Sequence, residues 1–210
     1  RLWSSDLCLR VSGAIDAFRQ SFQSLQAPSC AAISGWPGIC HDHRPTGQHE
    51  SEVTLTTRMA NRETLRILQS GAAAWNQWRR QNPDRPPELY RALLLEVDLE
   101  GALLSEAALF QACIVNSKLV RADLRHADLA RADLSGSDFT GANLNDADLS
   151  GALVAETNFS GATLVEARLC GADLCRANFQ RADLSGAQLH DVTARETVLR
   201  EADLRGAVAP

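Results

Sequence analysis

The sequence predicts an all-β solenoid, a square coil with four pentapeptides per turn, and two regularities support this. From Leu94 to Ala209 every fifth residue is a central apolar position, and of these 24 positions 17 are Leu and three are Phe. The residue two before each central position is small, and 18 of these 24 residues are Ala. A period of five fits neither the 3.6-residue period of a helix nor the two-residue period of a strand. It fits a chain in which each pentapeptide forms one side of a square.

Exceptions to the pattern recur every 20 residues, as four pentapeptides per turn require. Phe139, Phe159 and Phe179 are 20 residues apart, and no other central position holds Phe. The substitutes for Ala fall in one phase, apart from Val192; they are Val97, Ser117, Ser137, Thr157 and Thr197. We therefore predict about six 20-residue coils over residues 89–210, with the three Phe stacked as a structural core.

Composition and charge restrict the function. The formal net charge is −5 and the sequence pI is near 5.5, whereas a general nucleic-acid binder needs clustered Lys and Arg. Direct nucleic-acid binding is therefore not expected. The chain has no run of about 18 apolar residues and no recognisable signal peptide, which predicts no membrane span and a cytoplasmic location. The six cysteines form no paired CxxC motif, which favours reduced thiols.

Residues 1–58 form a segment of different character. They show no sustained period of 2 or 3.6, and Ala14–Leu25 is their one weak helix candidate. Met59 is the only methionine. One hypothesis is that translation of the native protein starts at Met59, in which case residues 1–58 are a disordered or non-native upstream segment. The cluster Cys40–His43 with His49 has metal-ligand residue types, but its flanks predict no folded frame to hold four donors. We predict no metal site there.

Residues 59–88 are predicted to form a capping helix and a Pro-rich connector. Asn61 can cap one helix over residues 61–81, which carries an apolar stripe at helical spacing. Trp75 and Trp78 lie on this stripe, and we expect them to dock on the first coils, where outward positions are unusually apolar. Those positions are Leu93, Leu95, Leu103, Phe110 and Val115. The helix should therefore protect the N-terminal edge of the solenoid.

The period of 20 assigns the outward residues to four walls. The acidic wall, through Leu124, Leu144 and Leu164, is the candidate interaction wall because it holds six acids and two bases. Its acids are Glu106, Asp123, Asp146, Glu166, Asp183 and Asp203. The opposite Leu134 wall has five acids and two bases, the Phe wall four of each, and the Leu129 wall three acids and two bases.

Runs such as Ala122-Asp123-Leu124 and Ala172-Asp173-Leu174 resemble the pentapeptide-repeat family, whose pattern is A(D/N)LXX, over residues 92–209. The resemblance implies a right-handed quadrilateral β-helix in a family whose members are mostly not enzymes. We accordingly predict no catalytic, cofactor-binding or metal-binding residues. The segment Trp75-Asn76-Gln77-Trp78-Arg79 also resembles the N-terminal leader of many bacterial members, especially cyanobacterial ones.

We predict from this a structural or protein–protein interaction module, a rigid rod that presents flat polar walls to an unidentified protein partner. The alternative is a DNA mimic that inhibits or protects DNA gyrase, since the quinolone-resistance members resemble duplex DNA in shape and charge. Arginines dilute the charge on both acidic walls, and the C-terminal dimerisation element of those members is absent from the sequence. Both observations weigh against the alternative. An end-to-end homodimer through the C-terminal coil stays open.

Overall fold

The computed structural model describes residues 59–209, which contain two helices followed by a long β-ladder. The helices are α1 (Arg62–Gln69) and α2 (Ala72–Gln81), and the strands are β1 (Leu93–Leu95) and β2 (Cys113–Val115), which pair in parallel. The predictions for residues 1–58 lie outside the described residues. Neither described helix is long and apolar enough to cross a membrane.

The prediction of one helix over residues 61–81 is wrong, because the chain breaks it at Ser70 and Gly71. Asn61 caps α1 as expected, and its side-chain oxygen accepts from the N–H groups of Glu63 (3.0 Å) and Thr64 (3.3 Å). Gly71 then has a φ of +98°, a left-handed conformation that glycine adopts readily and that ends a helix. The Ser-Gly pair was the signal in the sequence for this break.

The β-ladder advances in steps of 20 residues. Parallel bridges join Glu88 to Ala108, Asp98 to Lys118, and so on along four columns to Val208. In each column the bridging residue directly precedes a central position. Only β1 and β2 are long enough to count as strands, because a corner interrupts the pairing after every pentapeptide. The period of 20 in the sequence is thus the spacing of the backbone pairing.

The core lies inside the coil and consists of the central and small positions. Central residues from Leu94 to Val154 are fully buried, and the Ala residues two before them are nearly so. The three Phe stack along one wall, with ring centroids 5.1 Å apart for Phe139 and Phe159 and 4.9 Å apart for Phe159 and Phe179. Stacking at this distance contributes about 0.5–1.5 kcal/mol per pair beyond area burial.

Ser and Thr replace Ala in one column because their hydroxyls complete backbone hydrogen bonds. Ser137 Oγ donates to the carbonyl of Ile114 in the preceding coil at 2.8 Å, and Thr157 Oγ1 donates to that of Leu134 at 2.9 Å. Ser117 N–H in turn donates to Ser137 Oγ at 3.0 Å. A buried hydroxyl without a partner would be costly, and each of these has one. The sequence showed their phase but not this role.

The helices pack on the first coil. Trp75 is fully buried and stacks on the half-buried Trp78, with ring centroids 5.1 Å apart. The helices contact the N-terminal edge of the coil, where the Trp75 indole N–H donates to the backbone carbonyl of Leu103 at 2.8 Å. Leu95, one of the apolar residues expected beneath the cap, stays 40% exposed.

Candidate interaction walls

Each corner between walls is a tight turn. Ala127 N–H donates to the carbonyl of Leu124 at 3.1 Å, and the third residue of this turn, His126, has a φ of +57°. A positive φ at the third position is the signature of a type II turn. The third residue of the turn has a positive φ at every corner. This residue can be glycine, as at Gly161, or a residue with a long side chain, as at Arg176. Corner side chains therefore project from the edges of the rod at regular intervals.

The Asp and Asn residues before the central positions fold back onto the backbone. Asp133 Oδ1 accepts from Ser135 N–H at 3.0 Å, and Asp148 Oδ1 accepts from Ser150 N–H at 2.9 Å. Such local bonds are the usual habit of Asp and Asn in turns. These carboxylates lie outside the core, but their direction is fixed by the turn, so they present an ordered surface.

The acidic wall places its six predicted acids in two columns. Glu106, Asp146 and Glu166 occupy corner positions and are exposed. Asp123, Asp183 and Asp203 occupy the bridging column, are half-buried, and accept from a backbone N–H two residues later. The structure therefore brings the six acids onto one wall without gathering them at one point.

Two of these carboxylates are neutralised within the wall. Arg125 binds Asp123 through two nitrogens, each 2.8 Å from a carboxylate oxygen, and Arg205 binds Asp203 in the same way at 2.6 and 2.9 Å. The side-chain hydrogen bond from each Arg is the main reason that the pKa of its Asp is lowered. The recurring Asp-Leu-Arg sequence was the signal for these pairs, which a count of charges does not reveal.

The exposed corner acids have different neighbours. Asp146 Oδ2 lies 3.8 Å from Nδ1 of His126, the corner residue of the preceding coil. Glu166 lies across the glycine corner of the next coil, because a Cβ built on Gly186 would come within 2.6 Å of its Oε1. Two kinds of carboxylate result: half-buried ones in the bridging column, of which Asp123 and Asp203 are paired with an arginine, and exposed ones along the corner.

The Leu134 wall carries an ion-paired corner. Arg176 reaches Glu156 in the preceding coil and Glu196 in the next, with nitrogen–oxygen distances of 3.1 Å to each. Hydrogen bonds to the two glutamates, the larger effect coming from Glu156 and the smaller from Glu196, raise the pKa of Arg176 above its usual value. One arginine thus compensates part of the negative charge of two glutamates along this corner.

The Phe wall carries a continuous polar ladder. Asn158 Nδ2 donates to Thr140 Oγ1 at 2.8 Å, and Asn178 Nδ2 donates to Ser160 Oγ at 2.8 Å. Ser160 Oγ in turn donates to Asn158 Oδ1 at 2.7 Å. Ion pairs flank the ladder, between Arg121 and Glu100 and between Arg181 and Glu201. The residues of this ladder recur at the same period of 20, which was the signal in the sequence that could have predicted it.

The Leu129 wall is more mixed. The guanidinium carbon of Arg131 lies 5.9 Å from the ring centroid of Phe110, and Arg168 Nε lies 4.0 Å from Asp148 Oδ2. Cys170 is buried on this wall, and Cys113 and Cys175 are buried on the Leu134 wall. Within residues 59–209 no group of three or more His, Cys, Asp or Glu side chains is arranged to hold a metal ion.

Comparisons with known proteins give one family. The sequence model described as "Pentapeptide repeats" matches in eight copies over residues 117–153, 155–191 and 182–209. No curated protein sequence gives a significant match.

Solved structures of this family are similar to the chain. A pentapeptide repeat protein, Rfr23, from the cyanobacterium Cyanothece 51142 is 35% identical; the match covers 42% of this chain and 60% of that one, with a TM-score of 0.42. One from the Arabidopsis thaliana thylakoid lumen is 33% identical, covering 47% and 69%, with a TM-score of 0.46. The plasmid-mediated fluoroquinolone resistance protein QnrB1 is 19% identical, covering 54% and 73%, with a TM-score of 0.26.

Proteins of this family fold as right-handed quadrilateral β-helices. They serve as structural or interaction modules and are generally scaffolds rather than enzymes. The matched repeats, the A(D/N)LXX pattern and the bridges at a spacing of 20 residues agree. The chain belongs to the pentapeptide repeat family.

Proposed function

We propose that this protein is a non-enzymatic interaction module, a rigid rod whose polar walls bind a protein partner. The observation that carries the proposal is the division between a filled core and an ordered surface. Leu, Phe and Ala occupy the inside of the coil, whereas the outward Asp, Asn, Ser and Thr side chains are held by hydrogen bonds. A surface that is ordered before binding loses little conformational entropy when a partner docks.

Within this proposal the acidic wall is the first candidate for the contact. Glu106, Asp146 and Glu166 project from one corner, and no salt bridge to Lys or Arg within residues 59–209 neutralises them. Exposed charge at an interface acts mainly on association rate and partner choice. The partner is therefore expected to bring positive charge to this wall.

Affinity capture with charge-matched variants tests the proposal. The triple variant Glu106→Gln/Asp146→Asn/Glu166→Gln removes three negative charges from the acidic wall. Its control, Glu96→Gln/Asp133→Asn/Asp173→Asn, removes three from the Leu134 wall and keeps the side-chain oxygens that accept backbone N–H groups. We expect the acidic-wall triple to lose a partner that the control keeps. If only the control variant loses the partner, the contact lies on the Leu134 wall instead. Equal capture by the wild type and both triple variants would contradict a wall-specific interaction.

A DNA mimic acting on gyrase is the second candidate, and the pairing of Asp123 with Arg125 and of Asp203 with Arg205 weakens it. A duplex mimic needs uncompensated negative charge along its length, and Arg176 also compensates two acids on the opposite wall. A supercoiling assay with purified gyrase distinguishes the candidates. Inhibition, or protection from a fluoroquinolone, would favour mimicry; unchanged supercoiling at micromolar protein would favour the interaction module.

An end-to-end homodimer remains a prediction. The last described coil exposes Val198, Leu199, Leu204 and Val208, each by 39–49%. Sedimentation equilibrium would test it, with Leu199→Glu as the variant that should shift any dimer to monomer. A cytoplasmic location and a bacterial origin likewise stay predictions.

A further inference from the structure

The first coil has the same edge groups as an inner coil but no preceding coil to pair with among the described residues. In an inner coil, Asp123 N–H donates to the carbonyl of Ala102 in the preceding coil at 2.9 Å, and Asp123 C=O accepts from Leu104 N–H at 2.7 Å. Leu103 occupies the same column one coil earlier. Its N–H and C=O therefore face the N-terminal edge of the ladder.

Two side chains of α2 take both of these bonds. Leu103 N–H donates to Asn76 Oδ1 and Leu103 C=O accepts from Trp75 Nε1–H, both at 2.8 Å. The other half of the Asn76 amide, Nδ2–H, donates to the carbonyl of Gly101 at 2.8 Å. The Asn76 amide thus offers one donor and one acceptor to the edge, as a backbone peptide would.

The same replacement extends to two other columns. Glu88 C=O accepts from the backbone N–H of Asn61 at 3.1 Å, and Leu93 C=O accepts from Gln69 Nε2 at 3.3 Å. Together with Leu103, these are edge carbonyls on three of the four walls. Helices α1 and α2 and their N-cap are therefore fitted to the backbone groups of the edge as well as to its apolar surface.

We propose that Trp75 and Asn76 act as a surrogate strand that closes the N-terminal edge of the solenoid against pairing with a second copy of this chain. Unpaired strand edges invite such pairing, and native proteins cover them. Trp75 is fully buried, so it also anchors the helix by a large apolar contact. Asn76 adds the polar match that makes the helix a hydrogen-bonding partner of the edge.

Amide hydrogen exchange by NMR on the full chain tests the hydrogen-bonding part. Asn76→Leu keeps the size of the side chain and removes both polar groups. We expect exchange at Leu103 N–H to rise by at least about tenfold. Leu104 N–H, which donates to Asp123 C=O inside the rod, should change by less than about threefold. The control is Gln77→Leu, the same loss of an amide at the next, exposed residue of α2.

An unchanged rate at Leu103 would overturn the surrogate bond. An equal rise at Leu104 would mean that Asn76 holds the whole coil together, which also contradicts a role confined to the edge.

Sedimentation velocity tests the protective part. The double variant Trp75→Phe/Asn76→Leu removes all three surrogate bonds while keeping an aromatic anchor. We expect it to form larger species with rising concentration than the wild type or Gln77→Leu does. If it sediments like the wild type although Leu103 exchanges faster, the edge does not need this protection and the proposal is wrong on that point.

Discussion

At the scale of single residues, chemistry as well as size explains the inner column of Ser and Thr. Thr157 is fully buried, and its hydroxyl donates to the carbonyl of Leu134 one coil earlier. The N–H of Thr157 bonds within its turn to the carbonyl of Val154 at 3.2 Å, as that of Ala127 does to Leu124, so the hydroxyl bond is additional to the turn bond. The hydroxyl therefore links one coil to the next through the core.

Thr157→Val should destabilise the protein more than Thr157→Ser. Valine has nearly the shape of threonine but removes this hydrogen bond to the carbonyl of Leu134, which keeps only the N–H of Ser137 as a donor, at a cost of about 0.5–1.5 kcal/mol. Serine keeps the hydroxyl and loses only a methyl group. Urea unfolding at neutral pH would measure both free energies of unfolding, and equal values, or a more stable valine variant, would contradict the role of the hydroxyl.

The ion pair of Asp123 should make stability depend on pH at the acid end. The hydrogen bond from Arg125 holds the pKa of the Asp123 carboxyl below its ordinary value of 3.8, and desolvation opposes this only partly. Because the folded-state pKa is depressed, the stabilisation is present above the unfolded-state pKa and is lost as the pH falls through the folded-state pKa.

Comparison with Asp123→Asn isolates this effect. We expect the free energy of unfolding to exceed that of the variant at pH 7, and the difference to shrink as the pH falls below about 4. Asparagine keeps an oxygen for the N–H of Arg125, so the difference reports the charge. A difference that is constant from neutral to acid pH would refute the pairing.

At the scale of the element, the corner decides which residues the pentapeptide accepts. Every corner residue has a positive φ. Some of these residues are glycines, but others have long side chains, such as Arg121 and Glu156. This conformation costs a non-glycine residue about 1–2 kcal/mol. Bonding between successive coils must compensate for that strain at each corner.

Gly161 allows the strain to be measured without a clash, since a Cβ there would meet nothing within 4 Å. Gly161→Asn should destabilise by less than Gly161→Val, because Asn tolerates the left-handed region and a β-branched residue does not. The gap should be about 1 kcal/mol or more in urea unfolding. Equal losses would show that the corner does not require this conformation.

At the scale of the whole molecule, the ends of the ladder differ. The first coil is covered by α1 and α2, whereas in the last described coil Leu199 and Leu204 are 43% and 39% exposed although they occupy central positions. In a solenoid each coil is stabilised mainly by its neighbours. A coil whose central residues are exposed should open more easily than a covered one.

Hydrogen exchange followed by mass spectrometry should show this difference. We expect peptides from residues 190–209 to exchange first and peptides around the stacked Phe rings of residues 139–179 to exchange last. Residues 90–109 should be protected nearly as well as the middle, because the helices cover them. Fastest exchange in residues 90–109 would contradict the difference between the ends.

The sequence predicted the solenoid because its signal repeats at 24 positions, so that single exceptions such as Val154 do not obscure it. The break at Gly71 was missed because one Ser-Gly pair carries little weight against a long apolar stripe. The pairing of Asp123 with Arg125 and the bonds of Asn76 to Leu103 depend on side-chain directions. A count of charges and periods contains no such directions.

Site-specific photo-crosslinking in cells, one wall at a time, would show directly whether a particular face of the rod binds a protein. A photoreactive residue replaces a half-buried side chain at the same position of the pentapeptide on each wall: Val120, Ala130, Ala155 and Val165. We expect one protein to be crosslinked from one wall or from two adjacent walls, with the acidic-wall position Val165 first, and not from the remaining walls. No adduct from any wall, or equal adducts from all four, would contradict a function carried by a specific face of the rod.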